Sequence, residues 1–335
     1  MENQRKFISN VEIKGLWGIY DFNWNLKSDV NILSGINGSG KSSILDCIAS
    51  LVTIGNIPEN LNENVKSIKI TFDNGKFIYF EELEDTIRNI ERKAKNNNTY
   101  KNIISDIRKN EGRNYEKIKS IRLGFVSFDD LKIPLKDVHQ LINFNIISTF
   151  DNVISNSEIK FDSEVKTELD RELFILQKRY LDYQLNIGKR VYDEILKFKN
   201  KDELDSVKGI KKQHEAFIEI VDELFQSTNK KIDPNKNELT FLFNNRNISI
   251  YKLSSGEKQI LLILLTILLQ DNKQSIIFMD EPEISLHFDW QKKIIEFARK
   301  LNPNSQLIIA TNYPAVIMVG WIDKVVNVED LRTNI

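Results

Sequence analysis

The sequence predicts an α/β fold, a sheet-and-helix head interrupted by a long helical, coiled-coil-like insertion. Three observations carry this. Short alternating runs in residues 7–34 feed a glycine-rich loop and then a helix. Near the other end, Ile276-Ile277-Phe278-Met279 and Leu307-Ile308-Ile309-Ala310 are wholly apolar, as parallel strands covered on both faces must be. Between these regions an apolar stripe recurs at alternating spacings of four and three, the period of packed helices.

The elements follow in order. Val11-Glu12-Ile13 and Tyr20-Asp21-Phe22 alternate around a turn at Gly15-Leu16-Trp17-Gly18, and Val30-Asn31-Ile32-Leu33 is a third strand. A helix is expected over residues 42–51. Residues 65–72 and 76–80 make a hairpin about Asp73-Asn74-Gly75, a strong short-range turn signal. From residue 81 the composition turns polar. Between Arg88 and Arg122 there are eleven Lys or Arg against four Asp or Glu, in a stretch expected to be helical. That stretch reads either as a solvated helical face or as a basic arm touching nucleic acid.

Leu169, Leu173, Leu176, Tyr180, Tyr183 and Ile187 form the stripe, continued by Val191 and Ile195. Phe217, Val221 and Leu224 share a face of a second segment, beyond the polar linker 200–208. Two antiparallel helices packed on each other are the expectation. Residues 238–250 form another hairpin, turning at Asn244-Asn245-Arg246. A helix over 260–269, a strand at 275–279, a helix over 291–301 and strands at 306–310 and 324–328 complete the chain. The domain boundaries expected are an N-terminal lobe at 1–80, a mainly helical insertion at 81–237 and a C-terminal lobe at 238–335.

Bulk properties exclude some classes of function. Of the 335 residues, 41% are hydrophobic and 28% charged, and the net charge is -1, so the chain as a whole does not attract polyanions. The lone cysteine, Cys47, cannot form an internal disulfide and reads as a small buried side chain. The opening residues lack an apolar leader, and the apolar run 260–269 is too short to span a bilayer, so a cytoplasmic protein with no membrane partner is expected. His139 and His214 stand alone, which argues against histidine-held metal.

The chemistry sits in three segments. Gly35-Ile36-Asn37-Gly38-Ser39-Gly40-Lys41-Ser42 fits the P-loop pattern, after a strand and opening a helix. Backbone N–H groups of Asn37, Gly38, Ser39, Gly40 and Ser43, with the helix N-terminus, suit phosphate oxygens. Lys41 suits the β- and γ-phosphates of ATP, and the Ser42 hydroxyl suits Mg²⁺. The apolar run 276–279 delivers Asp280 toward the Mg²⁺ shell and Glu281 toward the attacking water, as a general base. Leu253-Ser254-Ser255-Gly256-Glu257 opens a helix. Ser254 and Gly256 there can bind an anion, and Ser254 with Glu257 also fits a capping box.

These segments, in this order, resemble the ABC-type ATPase heads of the OLD, RecF and SMC group, and the resemblance covers about residues 7–55 and 238–330. It implies a P-loop ABC-type ATPase head that dimerises over ATP and Mg²⁺. Ser254, Ser255, Gly256 and Glu257 would then stand as the signature that meets the γ-phosphate on a second copy, with Ser255 in place of the usual first glycine. Asp280-Glu281-Pro282-Glu283-Ile284-Ser285-Leu286-His287 resembles the Asp-Glu-Pro-Glu run of the OLD and RecF-like members, with Leu286-His287 at the dimer seam. Thr311-Asn312-Tyr313-Pro314 stands where the family has Thr-His-Ser-Pro, so Asn312 replaces the switch histidine and slow turnover is implied. Ile146-Ile147-Ser148-Thr149-Phe150-Asp151 is the expected Q-loop connection. Trp17 or Tyr20 either stacks on adenine or is a core aromatic.

No TOPRIM or HNH nuclease constellation is expected after the head. The layout resembles the ATPase components of antiphage operons of the Septu, retron-linked and PARIS types. A homodimer or higher oligomer controlling a separate effector, such as a nuclease or toxin, is the expectation. The alternatives are a RecF- or SMC-like ATPase acting on duplex DNA, and an ATP-bound scaffold that does not hydrolyse.

Overall fold

The computed structural model describes residues 7–53, 65–81, 123–128, 131–134, 144–148, 164–197, 204–318 and 320–333. The basic stretch 88–122, His139 and residues 149–151 of the expected Q-loop lie outside them. The chain forms two compact units, residues 1–144 with 326–335, and residues 145–325.

The first unit is built on an antiparallel sheet ordered β2-β1-β4-β5-β6-β7. Its strands are β1 (Ile8–Leu16), β2 (Tyr20–Asn25), β4 (Ser67–Phe72), β5 (Phe77–Glu81), β6 (Leu123–Phe128) and β7 (Leu131–Pro134). The first turn closes through Gly18 N–H to Gly15 O at 2.9 Å, and the second through Gly75 N–H to Phe72 O at 2.9 Å. Alternation does the packing: Ile68, Ile70 and Phe72 are buried while their neighbours face outward. Strand β3 (Val30–Ser34) is buried over its first four residues and runs straight into the glycine loop and helix α1 (Lys41–Thr53). Cys47 is buried in α1 and free. Strands β6 and β7 fall inside the segment expected to be mainly helical. They extend this sheet instead.

The second unit holds the helices. Helix α2 (Glu168–Ile195) and helix α3 (Leu204–Phe225) pack antiparallel, since Tyr183 meets Gln213 while Tyr180 meets Phe217. Leu173, Leu176, Tyr180, Tyr183 and Ile187 are buried, as are Phe217, Val221 and Leu224. Burying each such side chain contributes roughly 1.5–3 kcal/mol. Past Ile187 the stripe fades, because Val191 is half-buried and Ile195 is exposed. Helix α2 also packs on helix α4 (Ser255–Leu268), so its stripe is not shared with α3 alone. Helix α3 starts at Leu204, within the polar stretch expected to be a linker.

Strands β9 (Lys230–Ile232), β10 (Thr240–Phe243) and β11 (Arg246–Ser249) make a small antiparallel sheet. Asn244 (φ +48°) and Asn245 (φ +59°) give its hairpin the two left-handed residues of a type I′ turn. Strands β12 (Ser275–Asp280) and β13 (Ser305–Ala310) pair in parallel, with β8 (Phe144–Ser148) beside β12. Every residue of β12 and β13 except Asp280 is buried. Helix α5 (Phe288–Leu301), the short helix α6 (Pro314–Met318) and β14 (Val325–Asn327) follow. Among the described residues no helix is long and apolar enough to cross a membrane.

Candidate active site

In the first unit the glycine loop is held by strain and close approach. Gly38 (φ +81°) and Gly40 (φ +104°) take left-handed conformations that other residues adopt at a cost. Behind Gly40 lies Trp17, whose ring would stand 2.5 Å from an added Cβ, so the indole backs the loop. Around Gly38 an added Cβ would meet nothing within 4 Å, so the loop is open there. Ser39 N–H closes on Ile36 O at 3.1 Å, and Ile44 N–H reaches Gly40 O at 2.9 Å, which starts α1. Lys41 is buried, and its ammonium donates to Gly35 O at 3.0 Å and Ile36 O at 3.3 Å. The Ser39 hydroxyl is buried with no hydrogen-bond partner, while Asn37 and Ser42 are exposed. This cradle fits a phosphate chain, with spare donors and a helix N-terminus facing an open side.

Aromatic groups stand beside the loop. Trp17, itself at φ +54°, packs edge-on to Tyr20 at 6.3 Å. Arg332 lies over the Tyr20 ring at 4.1 Å. One face of Tyr20 is therefore covered by a guanidinium.

In the second unit, parallel pairing brings the expected carboxylates to the strand ends. Asp280 is in register with Ala310, and Glu281 N–H donates to Ala310 O at 2.8 Å. Glu281 has φ +44° and Ser285 φ +67°, two strained non-glycine residues in one short turn. Asn312 follows β13, so the Glu281 and Asn312 segments leave the sheet side by side. Glu283 points inward, is buried, and accepts from the Thr311 hydroxyl at 2.5 Å. Burial raises its pKa to about 7, with Glu281 and Asp280 adding to the rise and Thr311 opposing it. His287 is exposed and caps α5, accepting from Asp289 N–H at 3.4 Å, while Leu286 is buried.

The start of α4 is a complete capping box. Ser254 Oγ accepts from Glu257 N–H at 3.3 Å, and Glu257 accepts from Ser254 N–H at 2.9 Å. Ser254 and Ser255 are exposed, whereas Gly256 is buried against the carbonyl of Ser285. Glu257 is turned inward, onto Lys230 at 2.7 Å and Thr228 at 2.8 Å. Burial raises its pKa, but the bonds from Lys230, Ser254 and Thr228 outweigh that and hold it below the usual range. Among the four signature residues, the Glu257 carboxylate is therefore committed to the loop's own structure. Lys258 reaches Asp170 at the base of α2, at 2.7 Å, through a buried ion pair. Sequence reasoning left Glu283, Thr311, Lys230 and Asp170 without a role. Glu283, as the third acid of the Asp-Glu-Pro-Glu run, and Thr311, as the first residue of the Thr-Asn-Tyr-Pro segment, each stood inside a motif.

An open amide cradle at a helix start, with paired acids at the end of a buried parallel strand, is the equipment of P-loop ATPases of the AAA/ABC type. Residues 30–317 match the family described as "AAA domain, putative AbiEii toxin, Type IV TA system", and the chain belongs to it. A curated relative, the "Retron Vc95 probable ATPase" of Vibrio cholerae serotype O1 biovar El Tor, is 25% identical over 231 residues. That match takes in 65% of this chain and 42% of the relative, so this chain corresponds to less than half of that protein. Among solved structures, an SMC head bound to the C-winged helix domain of ScpA has a TM-score of 0.55 at 14% identity. It covers 93% of this chain and 91% of that one, and establishes the fold.

Proposed function

We propose that the chain binds ATP with Mg²⁺, hydrolyses it slowly, and closes as a homodimer over two nucleotides. The observation that carries this is the Gly38–Lys41 cradle, open at Gly38 and backed by Trp17 at Gly40. Asn37, Gly38, Gly40 and Ser43 take the phosphates through their backbone, Ser39 adds its unpartnered hydroxyl, and Lys41 swings from its own loop carbonyls to the β- and γ-oxygens. Mg²⁺, where bound, supplies charge neutralisation on those oxygens, with Ser42 and Asp280 as its protein ligands. Glu281 takes a proton from the attacking water. Ser254, Ser255 and the Gly256 backbone of one copy meet the nucleotide held by the other, and Glu257 shapes that loop from behind. Asn312 contacts the γ-phosphate as a neutral amide, which slows turnover and favours a long-lived ATP-bound dimer.

Lys41→Ala tests the binding step. Its affinity for ATP should fall at least tenfold in calorimetry with the fold intact. Unchanged affinity overturns the assignment.

The retron-linked relative supports a biological role as a sensor or scaffold subunit of an antiphage system that holds a separate effector. Expression from the native operon should yield the chain in complex with a neighbouring gene product. Recovery of the ATPase alone contradicts that role. The eleven Lys or Arg between Arg88 and Arg122 support a second reading, action on duplex DNA. That reading predicts DNA-stimulated hydrolysis that weakens with salt.

A further inference from the structure

We propose that Glu283 is a positioning residue that ties the turn carrying Glu281 to the segment carrying Asn312, so that the two keep a fixed spacing. The proposal rests on the hydrolytic reading above. Backbone pairing between β12 and β13 ends with Asp280 opposite Ala310 and Glu281 N–H on Ala310 O at 2.8 Å. Beyond that point the two segments leave the sheet. The Thr311 hydroxyl then donates to Glu283 Oε1 at 2.5 Å, and the same hydroxyl oxygen accepts from Tyr313 N–H at 3.0 Å. One short chain of bonds thus runs from the acidic turn through Thr311 to the backbone on the far side of Asn312.

Three further features mark this as a built link. Glu283 and Thr311 are both within 1% of complete burial. Oε2 of Glu283 is buried with no hydrogen-bond partner, a costly group where an apolar side chain would pack better. The turn is pinned from beneath as well, because Gln291 of α5 donates to Leu286 O at 3.1 Å and, more weakly, to Glu283 O at 3.4 Å. A turn with left-handed Glu281 and Ser285 does not hold that shape unaided. Misplacing a reacting group by about 1 Å can cost on the order of a hundredfold in rate.

The test uses the full chain and four single variants. Thr311→Val removes the hydroxyl while keeping its shape, and Glu283→Ala removes the carboxyl. Thr311→Ser and Glu283→Gln keep the link. Hydrogen exchange without nucleotide reads the tie directly. Exchange over residues 311–318 should rise about tenfold in Thr311→Val and Glu283→Ala, with β12 and β13 protected as before and both conservative variants near wild type. In turnover, kcat should fall about tenfold or more in the two disruptive variants, with KM for ATP within about twofold. The double variant Glu283→Ala/Thr311→Val should be no worse than the poorer single one. Unchanged exchange over 311–318 in Thr311→Val overturns the tie, and wild-type kcat in that variant overturns its catalytic role. If wild type shows no turnover, the hydrolytic reading fails on its own and exchange still decides the tie.

Discussion

Replacing Gly256 by alanine sets two physical effects against each other, and the structure decides which wins. Helix propensity favours alanine by at most about 1 kcal/mol, and less in a first turn. Gly256, however, lies against the turn after β12. An added Cβ would stand 2.5 Å from the Ser285 carbonyl oxygen and 3.5 Å from its carbon. Close carbon–oxygen contacts settle at roughly 3.3 Å, so the overlap is about 0.8 Å. It meets backbone, which cannot rotate away. Ser285 already sits at φ +67°, so the turn has little slack. Crowding of this kind costs roughly 1–3 kcal/mol, and we predict a net loss of about 1–2 kcal/mol for Gly256→Ala. Guanidinium unfolding of the nucleotide-free protein should show a lower midpoint with an unchanged slope. A variant as stable as wild type, or more stable, would refute the reasoning, because propensity would then have acted without a clash.

Two other predictions address buried charge. The pKa of Glu283 is about 7 in the fold against 4.5 ordinarily, so the folded form keeps a proton that the unfolded chain has lost. Stability should therefore decline as pH rises from about 4.5 to 7, by up to roughly 3 kcal/mol. Glu283→Gln should remove that decline, and melting curves across the window that match wild type would contradict it. Asp170→Ala leaves the Lys258 ammonium buried without its partner and should cost roughly 3–5 kcal/mol. Asp170→Ala with Lys258→Met should recover part of that loss, the remainder being the bonds Asp170 accepts from Lys166 and Thr167 N–H at the start of α2, and equal instability of the single and double variants would show the pair is not coupled.

Much of this architecture was legible because its determinants are local. The glycine loop announces itself by spacing and by the strand before it, and the hairpin at 244–245 by two asparagines that tolerate left-handed backbone. The α2 stripe reads directly from Leu173 to Ile187. What stayed hidden depends on distant partners. Strand β9 spans three residues, two of them lysines, and forms because β10 pairs with it and Asp222 accepts from Ile232 N–H at 2.8 Å. Strand β6 lies far along the chain from β5, so no local pattern joins it to this sheet, although β6 and β7 pair with each other as near neighbours in sequence. Glu257 reads as a neighbour of phosphate in sequence, yet Lys230 draws its carboxylate inward. The bond between Glu283 and Thr311 joins residues 28 positions apart, and no periodicity marks it.

Glu281→Gln tests the central claim most directly, because it removes the proposed base and leaves the amide cradle intact. Turnover and mass should be measured beside wild type, with and without ATP and Mg²⁺. We predict that the variant binds ATP, loses turnover and accumulates as an ATP-bound dimer. Turnover equal to wild type would show that Glu281 is not the base, and a variant that stays monomeric with ATP bound would contradict closure over two nucleotides.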